Sequence, residues 1–355
     1  MKRAEIRRER SSERSALLKR WALEAGFDRA GAAVLGPSEQ GEAYREWLER
    51  GDQAGMAYLE RRVEERLDPR KLLPGAKSAL CVTWRYAPLA GEGPEAKGDL
   101  WPGVALYARG DDYHDLILGR LRRLSSKIEE AFPGTKSRAY VDTGPVLERE
   151  LAARAGLGWQ GKNTCLLHPK DGSYFFLAEI LLTLDLAPAP PVADLCGSCT
   201  RCLEACPTGA LPEPYRLDSR RCISYWTIEH RGEIPEEVRE WLGQWIFGCD
   251  ICQQACPWNW KRPRPIERSD RPELSAPERR ADLDLIGLLR LSREEYVERF
   301  RGSALKRAKL EGLKRNAAIA MGNRGDQRYV PALTEATSDE NPTVRFAADW
   351  ALRRG

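Results

Sequence analysis

Four cysteines separated by two, two and three residues run from Cys196 through Cys199 and Cys202 to Cys206, and Pro207 closes the run. Cys249, Cys252, Cys256 and Pro257 repeat that pattern one cysteine short, and Cys222 stands alone between the two runs. Soft thiolates at this spacing suit iron–sulfur chemistry. Three close cysteines wrap one face of a cubane, and the fourth, before proline, turns to the neighbouring cluster. Cys196, Cys199 and Cys202 are therefore expected to hold one [4Fe–4S] cluster, completed by Cys256. Cys249, Cys252, Cys206 and Cys222 are expected to hold the other. Structural zinc also uses paired cysteines, but it asks neither for a third cysteine two residues on nor for the trailing proline. Cys81 and Cys165 lie outside the array in apolar context and read as small buried hydrophobes.

Clusters move electrons but offer no substrate site, so the flanking segments must supply one. With 355 residues, 42% hydrophobic and 31% charged, the chain is long enough for two or three domains and has the composition of a globular protein. No apolar run approaches the ~18 residues of a membrane helix. The N-terminus, MKRAEIRRERSSERSALLKRW, lacks the apolar stretch of a signal peptide, so a cytoplasmic protein with reduced thiols is expected. The net charge is only +4, yet residues 301–355 carry eleven Lys/Arg against six Asp/Glu. That asymmetry fits a polyanionic partner or a solvated surface.

Three parts are expected: residues 1–190, mixed α and β; 191–265, the cysteine array; and 275–355, helical. In the first part, helical spacing marks Ser15 to Gly26, interrupted segments from Tyr44 to Glu65, and Tyr113 to Ala131. Apolar runs at Ser78–Trp84, Val104–Tyr107, Ser137–Val141 and Tyr174–Leu184 read as strands, which leaves α/β and α+β both open. A proline-rich stretch from Ala187 to Pro191 is the first boundary, and Arg262 to Pro265 the second. The array has little periodic apolar sequence, so its clusters must serve as its core. Helices at Leu313–Gly325, Tyr329–Thr337 and Pro342–Arg353 resemble HEAT-type repeats too few to stand free.

The most pointed stretch outside the array is VDTGPVLERELAARAGLGWQGKNT, from Val141 to Thr164. Asp142 follows a strand, a position that suits a catalytic acid or a turn cap. Trp159, Trp226, Trp245 and Trp258 read as packing residues. Together with CGSCTRCLEACPTGAL, RCISYWTIEH, FGCDICQQACPWN, Asp68–Ser78 and YARGDDYHD (Tyr107–Asp115), that stretch closely resembles the epoxyqueuosine reductase family over almost the whole chain.

The resemblance implies an α+β multidomain enzyme: an N-terminal α/β cobalamin-binding catalytic domain, a ferredoxin-like two-cluster domain and C-terminal HEAT-like helices. It implies reduction of epoxyqueuosine to queuosine at the wobble position of tRNA, with electrons passing from an external low-potential donor through the clusters to base-off cobalamin. Asp142 is implied as proton donor, which requires its pKa to rise by several units through desolvation. Cofactor contacts are implied for Arg66, Tyr107, Lys162, Asn163, Thr164, Ser224 and Tyr225, and the same eight cysteines for the clusters. A monomer without membrane attachment is expected, with Lys306, Arg307, Lys309, Lys314 and Arg315 as candidate tRNA contacts. Reductive dehalogenation with the same cofactors, or a non-catalytic electron carrier, are the alternative functions.

Overall fold

The computed structural model describes residues 2–88, 100–260, 263, 265–267 and 269–354, so Arg262 and Arg264 of the second boundary lie outside it. Its frame is a four-stranded sheet in the order β1-β2-β6-β3, with β1 Arg29–Val34, β2 Ser78–Arg85, β3 Ser137–Tyr140 and β6 Phe175–Leu182. All three pairings are antiparallel, so the first part is α+β. A small hairpin, β4 Trp159–Gln160 with β5 Leu166–Leu167, lies beside it.

Strand geometry sends alternate side chains to opposite faces, and β2 buries both. Leu80, Val82 and Trp84 join one core with Leu18 and Ala22 of helix Lys2–Glu24 and with Ile117, Leu121 and Ile128 of helix Tyr113–Ala131. Ala79 and Cys81 join a second core with Leu151 and Ala152 of helix Glu148–Arg154. Cys81 is thus a packing residue at 1% exposure. The glycine in β1, which breaks the apolar pattern of that strand, has a steric reason. A Cβ on Gly31 would stand 1.9 Å from the Ala155 carbonyl oxygen, so only glycine lets the helix end approach the sheet.

Val104–Tyr107 is not a strand. Val104 makes one isolated bridge to Phe247, and Leu106–Ala108 is a 3-10 turn fastened by the Leu106 N–H to the Asp250 carboxylate at 2.7 Å. This capture between Cys249 and Cys252 outcompetes strand propensity. Just before it, Gly248 adopts φ +71°, and a Cβ there would meet the Ala105 Cβ at 2.7 Å.

The C-terminal helices Lys309–Arg324, Val330–Ala336 and Pro342–Arg354 share one continuous core with the sheet's first face. A polar lock fixes them to the array. Asn316, fully buried, donates to the carbonyls of Thr227 (2.9 Å) and Ile246 (2.7 Å). Its own oxygen accepts from Arg315, whose remaining donors cover the carbonyls of Gly232 (2.7 Å) and Trp226 (3.0 Å). Arg315 is 2% exposed and so cannot reach a polyanion, which corrects its sequence reading. Lys314 is likewise held inward on Asp339 at 3.1 Å, whereas Lys306, Arg307 and Lys309 are exposed. Asn316→Ala leaves two buried carbonyls and the Arg315 fork short of a partner. It should lower unfolding stability by about 3 kcal/mol, read from the denaturation midpoint of the holoprotein.

Candidate active site and thiol cages

All ten cysteines are free thiols. Burial lifts Cys256 to about 11, and the sulfur neighbours that add to this are Cys196, Cys202 and Cys199. Burial also lifts Cys202 to about 11, with Cys196 and Cys199 beside it. In the deeper set burial lifts Cys249 to about 12, with Cys222 and Cys206 adding to the effect. Cys252 is raised first by its contact with Cys165, then by burial, Cys249 and Cys222 following. Cys196, Cys199, Cys202 and Cys256 thus neighbour one another, as do Cys206, Cys222, Cys249 and Cys252.

The first set borders a cavity of about 310 Å³ that Lys162, Asn163, Leu195 and Trp258 help to line. Among the described residues no three His, Cys, Asp or Glu side chains close on one metal ion. Donors already face the sulfurs: the Trp159 indole N–H lies 3.4 Å from Cys196 Sγ, and the Ala210 N–H 3.3 Å from Cys206 Sγ. Trp159 meets Trp258 edge to face at 5.4 Å, so these two tryptophans wall the first set.

The GKNT strap lies between the two sets. Lys162 Nζ donates to the Gly197 carbonyl at 2.6 Å, which holds its ammonium at the first set and not at Asp142. Asn163 donates to the Cys252 carbonyl (3.3 Å) and accepts the Cys165 N–H (3.2 Å). Thr164 has φ +65° and accepts from Arg149. Asn163 thereby brings Cys165 against Cys252, a placement its apolar sequence context did not signal.

Asp142 follows β3 with φ +56°, a left-handed conformation fixed by its N–H on Glu148 Oε1 at 2.5 Å. Two donors converge on its Oδ2: Tyr113 Oη at 2.8 Å and His114 Nε2 at 3.1 Å. The other ring nitrogen, His114 Nδ1, lies 2.7 Å from Asp112 Oδ1. Burial pushes the Asp142 carboxyl up, but the His114 and Tyr113 hydrogen bonds outweigh it and leave the group below the ordinary range. The expected rise of several units is therefore corrected. Burial pulls His114 down, and the two flanking carboxylates overcome it and hold the imidazole at about 9. Glu148 is lifted to about 8 by burial and by the Asp142 charge.

Around Asp142 and the second thiol set further side chains gather. Arg66, on helix Val63–Leu67, donates to the carbonyls of Gly144 (3.5 Å) and Tyr58 (3.3 Å). Arg307 grips Glu229 through two hydrogen bonds (2.9 and 2.7 Å) and lies 5.5 Å over the Tyr58 ring. Tyr225 Oη accepts the Gly55 N–H at 3.0 Å, and Ser224 beside it reaches Cys222. Both belong to or abut a π-helical turn, Tyr225–Glu229, a rare geometry associated with functional sites. Tyr107 meets the Tyr113 ring edge-on at 6.0 Å. Arg66, Tyr107, Ser224 and Tyr225 are thus drawn toward Asp142 or the second thiol set. Tyr58, Tyr113, His114, Glu148 and Glu229 were not singled out by sequence; only the YARGDDYHD block carried a signal, for the middle pair.

Comparison with known proteins follows the same lines. A family model described as epoxyqueuosine reductase QueG matches residues 66–143, a 4Fe-4S double cluster binding domain matches 195–259, and HEAT repeats match 299–354. The epoxyqueuosine reductase of Xanthomonas campestris pv. campestris is 40% identical over 349 residues, 96% of each chain. The chain belongs to the epoxyqueuosine reductase family. The Escherichia coli K12 reductase is 38% identical over 338 residues, 94% of this chain and 88% of its own. A crystal structure of epoxyqueuosine reductase with an epoxyqueuosine-modified tyrosine-tRNA stem loop superposes with a TM-score of 0.87 at 31% identity, covering 96% of this chain and 90% of that one. The Streptococcus thermophilus reductase gives 0.85 at 29% identity, covering 95% and 89%. As a member of this family the chain is an oxidoreductase with a double-cluster domain, which sets aside the dehalogenase and carrier alternatives.

The thiol grouping makes a sharp prediction about metal content. Cys256→Ala should empty the cage of the first run, and Cys206→Ala the cage of the second, although each residue lies in the other run. Iron analysis with Mössbauer spectra of the anaerobically reconstituted variants should show about half the wild-type iron in each case. Loss of the cluster in the residue's own run alone would contradict the grouping.

Proposed function

We propose that the chain reduces epoxyqueuosine in the tRNA anticodon to queuosine, with Asp142 passing the protons and two [4Fe–4S] clusters on the eight grouped cysteines carrying the electrons. The observation that carries this reading is the short path from the second thiol set to Asp142. Asp250, between Cys249 and Cys252, holds the turn that bears Tyr107; Tyr107 packs on Tyr113; and Tyr113 donates to Asp142. An acid at the end of an electron path is what opening an epoxide reductively requires. Conversion of the epoxide to the alkene consumes two electrons and two protons and releases the oxygen as water.

Arg66 Nε is buried without a partner, a donor that a cobalamin amide or phosphate oxygen would satisfy, and Arg66, Tyr107, Ser224 and Tyr225 are the residues that would hold the cofactor. When bound, cobalamin would supply a strongly reducing cobalt centre. The chain's part is to orient and to protonate. Arg66 and Tyr225 set the walls, Tyr113 and His114 fix the Asp142 carboxylate, and Glu148 holds the loop that carries it. Lys162, Asn163 and Thr164 serve as the strap between the two cluster cages. Electrons from an external low-potential donor enter at the first cage, where Leu195 and Trp260 are 43% and 57% exposed. Exposed Lys306, Arg307 and Lys309 are the basic groups placed to meet the tRNA backbone, an attraction that salt weakens.

Reconstitution with iron, sulfide and cobalamin under anaerobic conditions, a low-potential reductant and epoxyqueuosine-bearing tRNA provide the assay. Mass spectrometry of the nucleoside should show loss of one oxygen. Asp142→Asn should lower turnover by 10²- to 10⁴-fold, the range for loss of a positioned proton donor, with iron content unchanged. Full activity in that variant would remove Asp142 from the reaction.

A further inference from the structure

We propose that His114, held between Asp112 and Asp142, is the proton store that charges Asp142 during turnover. The inference rests on the epoxide reduction proposed above and adds the source of its protons. Asp142 is held as a carboxylate, because one oxygen, Oδ2, receives both the Tyr113 hydroxyl and His114 Nε2. A carboxylate so fixed has no proton of its own to give, and each turnover needs two.

The imidazole is built to carry one. Its Nδ1 lies 2.7 Å from Asp112 Oδ1 and its Nε2 3.1 Å from Asp142 Oδ2, so both ring nitrogens face carboxylate oxygens, the arrangement of an imidazolium. Its plane is set by the Tyr113 ring, stacked at 4.0 Å and 27°. Asp112 is fixed in turn: its carboxylate accepts the His114 backbone N–H at 3.1 Å, and its own N–H reaches the Gly302 carbonyl at 2.8 Å. Asp112, Asp142 and Tyr113 are the titratable groups in contact with the ring. Lys306 acts on Asp112, and Arg307 and Glu148 act on Asp142, so the cations stand behind the carboxylates and not against the imidazole.

The transfer balances simply. The Nε2 proton moves to Asp142 Oδ2 and from there to the departing oxygen, leaving a neutral ring with Nδ1–H on Asp112 and an unchanged carboxylate. The ring side chain is 29% exposed, so water restores the Nε2 proton and the same path serves the second transfer. No electron is moved by these groups. His114 acts through Asp142 and does not touch the reacting atoms; Asp112 positions it.

The test pairs turnover with a readout that needs no substrate. In holoenzyme, His114→Ala should lower turnover about 100-fold while cobalamin binding, followed by its visible spectrum, stays unchanged. Added imidazole should restore at least tenfold of that loss, rising with the imidazolium concentration. Undiminished turnover in His114→Ala, or a loss that imidazole leaves untouched, overturns the proposal. Nitrogen NMR of labelled wild type should show His114 titrating at about 9, and lower in Asp142→Asn because one flanking charge is gone. A neutral His114 ring at pH 7 overturns the store whatever the kinetics. Wild-type enzyme that makes no queuosine would instead sink the function proposed above, and the NMR arm would still decide the protonation of His114.

Discussion

The grouping of thiols across two distant runs is the constraint on which the rest of this molecule depends. Residues 196–206, Cys222 and residues 249–256 contribute few apolar side chains to any core. Among the described residues the buried cluster beside the first set is Trp159, Leu167 and Cys256, and from the second run Cys249 and Ile251 reach the edge of the main core. Iron and sulfide must therefore supply the cohesion that hydrophobic burial supplies elsewhere. The grip is also the reason for nearness. Cys202, on the helix Arg201–Glu204, and Cys206, two residues beyond its end, belong to opposite sets yet stand four residues apart, so the two cages are adjacent by construction.

From that adjacency the remaining geometry follows. The second run holds Asp250, Asp250 holds the turn bearing Tyr107, and Asn316 ties the carbonyls of Thr227 and Ile246 beside it to the C-terminal helices. The sheet delivers β3, and with it Asp142, to the same place from the other side. Electron path, acid and basic face are thus fixed against one another by a few buried polar contacts. The loop that carries Asp142 is held in a left-handed conformation by the Asp142 N–H on Glu148, with Val146 packed in the second core.

Much of this was legible in the residues. Cysteine spacing anticipates which thiols stand together because proline after the fourth cysteine turns it away, and helix Tyr113–Ala131 announces itself by period. What the chain concealed are features set by partners far away in sequence. The strand of Arg29–Val34 is alanine- and glycine-rich because a helix end presses on it. Val104–Tyr107 looks like a strand until Asp250 takes the Leu106 N–H. Arg315 carries a charge like its neighbours but spends it on buried carbonyls. The Asp142 carboxyl follows burial in a simple reading, whereas two donors that fold onto it reverse the direction. His114 gave no sign beyond standing in the YARGDDYHD block, since a lone histidine acquires its role only when both nitrogens find carboxylates.

The most direct test of the central grip is electron paramagnetic resonance of the anaerobically reconstituted protein after low-potential reduction. Cages whose thiols alternate along one short stretch of chain, Cys202 and Cys206, bring two reduced cubanes close enough to interact, so the spectrum should be broadened and split by coupling between their spins. A sharp, uncoupled signal from one isolated cluster, in protein shown to hold its full iron, would contradict the crosswise arrangement and the path to Asp142 built upon it.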